Sequence, residues 1–159
     1  MEISLATLGR RSTRKHASAE LMYAHYSERI GHFCRCRMES YPTEEKFFSA
    51  VNRMAWAAGS ARPMLVLLDG RGQSLSTEQF AQWLAREREQ GTRHILFAVG
   101  PADGWSEAAR RRVVSPGPGL LLSLGPMTLP HELAAVVLAE QIYRAFTIIE
   151  GHPYHLGHV

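Results

Sequence analysis

The stretch "MLVLLDG" (residues 64–70) is an unbroken apolar run that ends in Asp-Gly. A strand that is apolar on both faces is buried on both faces, as a central strand of a parallel sheet is. The Asp-Gly pair is typical of the turn that follows such a strand. This stretch therefore predicts a layered fold in which helices cover both sides of a sheet.

Strand and helix patterns alternate along the rest of the chain. Apolar or alternating runs predict strands, and apolar residues at helical spacing predict helices. Ser76 and Gln79 have the spacing of a capping box at one helix start. We therefore expect an α/β fold with a mostly parallel sheet and helices on both faces. The predicted strands begin at residues 3, 32, 64, 94 and 119, and the predicted helices cover 15–32, 43–59, 75–91, 106–114 and 131–151.

Length and composition favour one ordinary globular domain covering residues 1–159. No apolar run approaches the roughly 20 residues of a membrane helix. The first residues place apolar groups before basic ones, the reverse of a secretory signal. We therefore expect a cytoplasmic protein that does not enter membranes.

The positive charge of the chain is carried almost entirely by arginine. Of the 18 basic residues, only Lys15 and Lys46 are lysines, and the net charge is +3. Arginine is suited to binding phosphate and stacking on bases. Genomic base composition produces the same bias, so arginine content alone does not assign a nucleic-acid partner.

Cysteine and histidine can both ligate metals, and each occurs as a closely spaced group in a different part of this sequence. Cys34 and Cys36 would point to one face of a strand, where a mutual disulfide has poor geometry, and zinc needs more ligands. We expect both to be reduced and structural. His152, His155 and His158 recur every three residues, but Pro153 and Gly157 interrupt a helix there.

We therefore expect no metal in this protein. In the same C-terminal segment, Tyr154 and His155 are side chains that can bind a ligand by hydrogen bonds or move a proton.

Three predicted strands end in glycine-containing loops, "LLDGRG" (67–72), "AVGPADG" (98–104) and "SLGPMTLP" (123–130). In open α/β sheets, ligands bind beyond the carboxyl ends of the strands. None of the loops is a phosphate-binding Walker loop, and no dinucleotide-binding glycine motif follows a strand. These loops predict a pocket without identifying its ligand.

Three further polar residues fall near these loops. Asp69 and Asp103 are either a carboxylate pair or turn-forming residues. His131, in the first turn of the last predicted helix, lines a pocket or packs at the helix start.

The last helix is apolar nearly all round, which indicates burial on two sides. Its second side is covered either by a partner subunit or by a thick core of the same chain.

The C-terminal stretch "MTLPHEL…LAEQIYRAFTIIEGHPYH" (127–155) resembles the signature of the ribosomal large subunit methyltransferase H family. This family is the pseudouridine N3-methyltransferase group of the SPOUT superfamily. The resemblance continues through "LVLLDGRGQSLSTEQFAQWL" (65–84) and "GTRHILFAVGPADG" (91–104), and it includes the chain start, "ISLATLGRR". It covers essentially the whole chain.

The resemblance implies an α/β fold with a deep C-terminal trefoil knot. It also implies S-adenosylmethionine as cofactor and a homodimer in which two subunits complete each active site. The implied substrate is a pseudouridine of 23S ribosomal RNA within assembled ribosomes. By matching motifs, Arg144, Tyr154 and His155 would contact the substrate. The implied cofactor residues are Leu68, Gly100, Pro101, Gly104, Gly125, Pro126, Met127, Thr128, Leu129 and Pro130.

The chain departs from the family pattern at two positions. Pro101 replaces a glycine, so a backbone N–H near the cofactor is missing. Ala135 replaces an arginine one turn into the last helix, and the arginines of "EAARRR" (107–112) either compensate for it or form a solvated helix face. The alternative to an active enzyme is therefore a weak or inactive family member that binds ribosomal RNA or serves as a dimeric interaction module.

Overall fold

Five strands form one sheet in which every neighbouring pair is parallel, in the order β2-β1-β4-β3-β5. The computed structural model describes residues 1–9, 17–57, 62–114 and 119–156. The predicted α/β class is confirmed. In chain order the elements are β1 Glu2–Leu8, α1 Ala17–Ile30, β2 Arg35–Tyr41, α2 Glu44–Ala57, β3 Met64–Ser74, α3 Thr77–Glu89, β4 His94–Val99, α4 Glu107–Val114, β5 Leu120–Ser123, α5 His131–Ile149 and a 3-10 helix, Pro153–Leu156.

The sheet has a hydrophobic core on each face, as the apolar run of β3 predicts. One core packs β-strand residues such as Phe97 against α1, α3 and α5, and includes Ile142. The other packs Leu96 with Phe47 of α2 and Ala109 of α4. Helices therefore lie on both faces, which is the predicted arrangement.

The last helix, α5, contacts α1, α3 and the sheet of the same chain. Ala139, Ile142 and Ala145 are fully buried by these neighbours. The apolar circumference of α5 is therefore explained by contacts within one chain. It does not by itself require a partner subunit.

Strand β3 is interrupted by a bulge and continues beyond the predicted end at residue 70. Leu68 and Gln73 both pair with Leu122 of β5, so residues 69–72 form the bulge between two paired segments. A Cβ atom on Gly72 would lie 2.6 Å from the backbone of β5. Glycine is therefore the residue that allows this close approach of the two strands.

Local features of the sequence form as expected. The capping box is confirmed, because the Gln79 backbone N–H donates to Ser76 Oγ over 3.2 Å and the Ser76 N–H donates to Gln79 Oε1 over 2.8 Å. Cys34 and Cys36 are free and half-buried. Burial raises the pKa of Cys34 to about 11, which keeps it as a thiol.

None of the described helices has the length and hydropathy to cross a membrane.

Candidate active site

The carboxyl ends of β3, β4 and β5 surround a cavity of about 610 Å³, hereafter the β3–β5 cavity. These three strands are parallel neighbours, so the loops that follow them meet at the same edge of the sheet. The structure brings all ten predicted cofactor residues together around this cavity, and their binding role stays a prediction. They are Leu68, Gly100, Pro101, Gly104 and the unbroken run Gly125, Pro126, Met127, Thr128, Leu129 and Pro130.

A buried tryptophan joins two of these loops. Trp105 is 3% exposed, and its indole N–H donates to the Leu68 carbonyl over 2.9 Å. A Cβ atom on Gly100 would lie 2.8 Å from Trp105 Nε1. Glycine is therefore required at residue 100 because the indole occupies the space of a side chain. Trp105 was not predicted as a site residue, because its only sequence signal is an aromatic residue at the end of a glycine-containing loop.

Pro101 begins a tight turn at the mouth of the cavity. The Gly104 N–H donates to the Pro101 carbonyl over 2.8 Å, and Gly104 has φ +79°. Glycine fits the last position of this turn, residue 104, because it adopts the left-handed conformation without strain. The loop is thus closed by a hydrogen bond that does not use the missing N–H of residue 101.

Asp69 makes the local side-chain-to-backbone hydrogen bond of a turn-forming aspartate, but it does so at the start of the bulge inside β3 and not at the end of the strand. Asp69 Oδ1 accepts from the Arg71 N–H over 2.8 Å, and Oδ2 accepts from Arg110 Nε over 2.6 Å. The Asp69 side chain is 4% exposed, so the arginine pairs with a carboxylate that is nearly out of water. Asp69 therefore ties α4 to the cavity wall and is engaged structurally.

His131, at the first position of α5, lines the β3–β5 cavity. This confirms the first of its two sequence interpretations. Met127 also lies on the wall, with 81% of its surface exposed. The rim of the cavity is thus open to solvent on the side of the loop that precedes α5.

A second group of candidate residues gathers at the other end of α5. Arg144 Nε donates to Glu140 Oε1 over 2.9 Å, and the Tyr154 hydroxyl lies 3.2 Å from the same oxygen. The Arg29 and Arg144 guanidinium carbons lie 4.9 and 4.8 Å from the centre of the Tyr154 ring. We call this group the tail cluster; its members are Arg29, Glu140, Tyr143, Arg144 and Tyr154.

The tail cluster holds the aromatic rings in a fixed arrangement. The Tyr143 and Tyr154 rings meet edge to face with centres 4.7 Å apart. Arg29 Nη2 donates to the Tyr143 hydroxyl over 2.8 Å. Sequence reasoning named Tyr154 and Arg144 but missed the other three members. Glu140 did carry a signal, since an acidic residue four positions before an arginine forms an ion pair on a helix.

The environment of Tyr154 keeps its hydroxyl protonated. Desolvation, with contributions from Tyr26 and Glu140, raises the pKa of Tyr154 to about 12. Hydrogen bonding to Glu140 also raises the pKa of Arg144 above its ordinary value. At neutral pH the cluster therefore presents a neutral phenol beside a charged guanidinium. In this state Tyr154 is a hydrogen-bond donor and not a proton acceptor.

Within one protomer, the tail cluster and the β3–β5 cavity lie far apart. Ala134 is the last residue of α5 on the cavity wall, and the 10 residues of helix from Ala134 to Arg144 extend about 15 Å at 1.5 Å per residue. Two of the predicted catalytic residues, Arg144 and Tyr154, therefore do not line the cavity that their own chain forms. The sequence predicts a single active site, whereas the structure places the predicted cofactor residues in one group and Arg144 and Tyr154 in another.

The remaining predictions concern the histidines of the tail. The backbone of His155 belongs to the 3-10 helix, and His158 lies outside the described residues. The Tyr154 N–H donates to His152 Nδ1 over 3.2 Å. In the described part of the chain, no group of three or more His, Cys, Asp or Glu side chains is arranged to hold a metal ion.

Comparison with known proteins identifies one family model and several relatives, all described as methyltransferases. A family model described as "Predicted SPOUT methyltransferase" matches residues 1–155. Ribosomal RNA large subunit methyltransferase H of Koribacter versatilis is 38% identical over 144 residues, covering 91% of this chain and 92% of that protein. The protein of the same name from Rhizobium etli is 40% identical over 127 residues, covering 80% and 74%. That from Rhodospirillum centenum is 52% identical over 92 residues, covering 58% and 57%.

Proposed function

This chain belongs to the ribosomal RNA large subunit methyltransferase H family of SPOUT methyltransferases, and we propose that it methylates N3 of a pseudouridine in 23S ribosomal RNA with S-adenosylmethionine. The structural observation that carries the proposal is the β3–β5 cavity, whose walls contain every residue that the family motifs assign to the cofactor. We further propose that the substrate is the assembled ribosome, which places the protein in the cytoplasm.

The β3–β5 cavity fits a cofactor of this size and chemistry. Its volume of about 610 Å³ lies within the roughly 300–1,000 Å³ of small-molecule sites. Gly104 and Gly125 leave backbone groups accessible for hydrogen bonds to an adenine or an amino acid group. Leu68 and Leu122 supply apolar wall. Bound S-adenosylmethionine would supply the methyl group in this cavity.

The tail cluster fits the requirements of the acceptor base. N3 of the ring has to lose its proton for the new N–C bond to form, and the neighbouring carbonyl oxygens then gain negative charge. The protonated Tyr154 hydroxyl would exchange its hydrogen bond to Glu140 for one to such an oxygen, and Arg144 holds phosphate or stabilises the charge. His155 is the remaining candidate for accepting the N3 proton.

The active site is shared between two subunits in this proposal. Arg144 lies about 15 Å along α5 from Ala134 on the cavity wall, and neither Arg144 nor Tyr154 lines the cavity of its own chain. A homodimer removes this obstacle because a partner subunit can place its tail cluster over the cavity. Exposed apolar side chains on α1 and α5, among them Leu21 and Leu133, provide surface for such a contact. The C-terminal trefoil knot of the family is part of the same proposal.

Two measurements test the proposed function. Calorimetric titration with S-adenosylmethionine and S-adenosylhomocysteine is expected to give micromolar binding, and mass spectrometry of treated ribosomes is expected to find one added methyl group in 23S RNA. Binding without methylation would favour the alternative of an inactive RNA-binding or dimeric module. No binding of either ligand would contradict the proposed use of the β3–β5 cavity.

Restoring glycine at residue 101 is expected to tighten cofactor binding. Pro101→Gly returns a backbone N–H to the loop, and one additional hydrogen bond of about 1 kcal/mol corresponds to about a fivefold lower dissociation constant. Calorimetry on the variant and the unaltered protein measures this directly. Equal affinities would mean that the closed turn over residues 101–104 already compensates for the missing donor.

Mixing two inactive variants is expected to restore activity if the site is shared. One variant, Arg144→Ala, lacks a tail residue, and the other, Gly125→Trp, has a filled β3–β5 cavity. After refolding together in equal amounts, half of the dimers are mixed, and each mixed dimer has one intact site of two. Methylation should therefore return to about a quarter of the unaltered rate. Activity no greater than that of either variant alone would show that each subunit works independently.

A further inference from the structure

The tail cluster contains one guanidinium group that lies outside the family motifs, that of Arg29 in α1. Its guanidinium carbon lies 4.1 Å from the centre of the Tyr143 ring and 4.9 Å from the centre of the Tyr154 ring. Its Nη2 atom donates to the Tyr143 hydroxyl over 2.8 Å. Arginine stacks on aromatic rings in this way. These contacts hold the half-buried Arg29 beside the tyrosine whose hydroxyl serves the acceptor base in the proposed function.

None of the carboxylates in the described part of the chain forms an ion pair with Arg29. Arg144, by contrast, is paired with Glu140. A guanidinium carries five N–H groups, and among the described residues only the Tyr143 hydroxyl accepts from Arg29. The last turn of α1 favours a cation, but this hydrogen bond goes to a tyrosine and not to the carbonyl groups of the helix end. Most donors of Arg29 are therefore available to a ligand.

The tail cluster carries one net positive charge, because its members include two guanidinium groups and one carboxylate. The guanidinium carbons of Arg29 and Arg144 lie 4.9 and 4.8 Å from the centre of the same Tyr154 ring. They are thus at most about 10 Å apart, which does not exceed the Debye length in 0.1 M salt, so the two charges repel each other. An anion bound beside both groups removes this repulsion.

We propose that Arg29 binds a phosphate group of the ribosomal RNA next to the target base, and that Tyr143 positions Arg29 for this contact. Arginine binds phosphate through paired N–H···O hydrogen bonds. The RNA backbone leads to and from the nucleotide whose base meets Tyr154, so its phosphate groups pass close to the neighbouring guanidinium. This inference rests on the proposed function and adds to it a phosphate-binding residue from α1.

The salt dependence of ribosome binding tests this contact. Each arginine–phosphate contact releases counterions, so the loss of one contact lowers the slope of log affinity against log salt by about one. Arg29→Gln removes the charge and keeps a polar side chain of similar length. It should bind unmethylated ribosomes about tenfold more weakly, as expected for a lost hydrogen bond to a charged group, and with the lower slope. The affinity for S-adenosylmethionine should not change.

The binding measurements include S-adenosylhomocysteine, which prevents turnover, and cover about 50 to 200 mM salt. Arg29→Lys keeps the charge, so it should keep the slope and recover part of the affinity. Tyr143→Phe removes only the hydroxyl that orients Arg29, so it should weaken binding by about fivefold or less without changing the slope. Arg53→Ala is the control, because it removes an exposed arginine from α2, on the other face of the sheet, and should change neither quantity.

The outcomes separate this inference from the proposed function. If Arg29 only holds the Tyr154 ring in place, Arg29→Gln should methylate slowly with an unchanged salt slope, and that result would overturn the phosphate contact. A less stable variant rescales the apparent affinity by its folded fraction, so the slope still decides. Ribosome binding with the expected slopes but without methylation would overturn the enzyme and support the contact. No binding of ribosomes by the unaltered protein would overturn both proposals.

Discussion

Tyr154→Phe is expected to lower turnover on ribosomes by about 10²- to 10³-fold, the usual cost of losing a hydrogen-bond donor at a developing negative charge. The change removes only the hydroxyl. The ring can keep its contacts with Tyr143, Arg29 and Arg144. Cofactor affinity should not change, because the tail cluster is remote from the cavity of its own subunit. Ribosome methylation assays and calorimetry measure the two quantities.

The same substitution at Tyr41, which lies outside the β3–β5 cavity and the tail cluster, is the matched control. It should leave turnover nearly unchanged. The pH dependence adds a further check: with its pKa raised to about 12, Tyr154 stays protonated across pH 6–9 and contributes no inflection to the rate profile there. Turnover of Tyr154→Phe equal to that of the unaltered enzyme would remove Tyr154 from the mechanism.

Gly100→Ala is expected to abolish measurable cofactor binding. The added Cβ atom would lie 2.8 Å from Trp105 Nε1 and 2.9 Å from Cε2, so the indole has to move. Its hydrogen bond to the Leu68 carbonyl is then lost, and the β3 and β4 loops separate. Overpacking and a lost buried hydrogen bond together cost about 2–4 kcal/mol of stability. Calorimetry and urea denaturation measure both effects.

Gly70→Ala is the control for this substitution. Gly70 lines the same cavity, but a Cβ atom there has nothing within 4 Å among the atoms around it. The control should keep cofactor affinity within about twofold and stability within about 0.5 kcal/mol, as surface substitutions do. If Gly100→Ala binds the cofactor as well as Gly70→Ala does, the contact between Gly100 and Trp105 does not shape the cavity.

The elements of this fold were predictable because each has a local pattern. The apolar run at residues 64–68 and the capping box at Ser76 are properties of neighbouring residues. The order of the strands was not predictable from periodicity, since the pairing of β1 with β4 joins residues about 90 positions apart. The continuation of β3 to Ser74 was missed because Asp-Gly usually ends a strand, whereas here it begins a bulge.

The loop residues of the candidate site were predictable, but Trp105, most of the tail cluster and the geometry of the site were not. The family motifs name the loop residues, and parallel strands bring those loops to one edge. The bond from Trp105 to Leu68 spans 37 positions and has no periodic signal. The length of helix between His131 and Arg144 can be calculated from the sequence. It shows that the two residues belong to separate groups only once His131 is known to line the cavity. The apolar surface of α5 suggested a partner subunit, although α1 and α3 cover it.

The indole of Trp105 also makes the cavity optically visible. Its N–H bond to the Leu68 carbonyl and its nearly complete exclusion from water set the wavelength at which it emits. A ligand that moves either loop alters this environment directly, whereas Trp83 packs against Phe80 on the other face of the sheet. Occupancy of the cavity can therefore be followed by intrinsic fluorescence, without a dye or label, in a protein that carries both Trp56→Phe and Trp83→Phe.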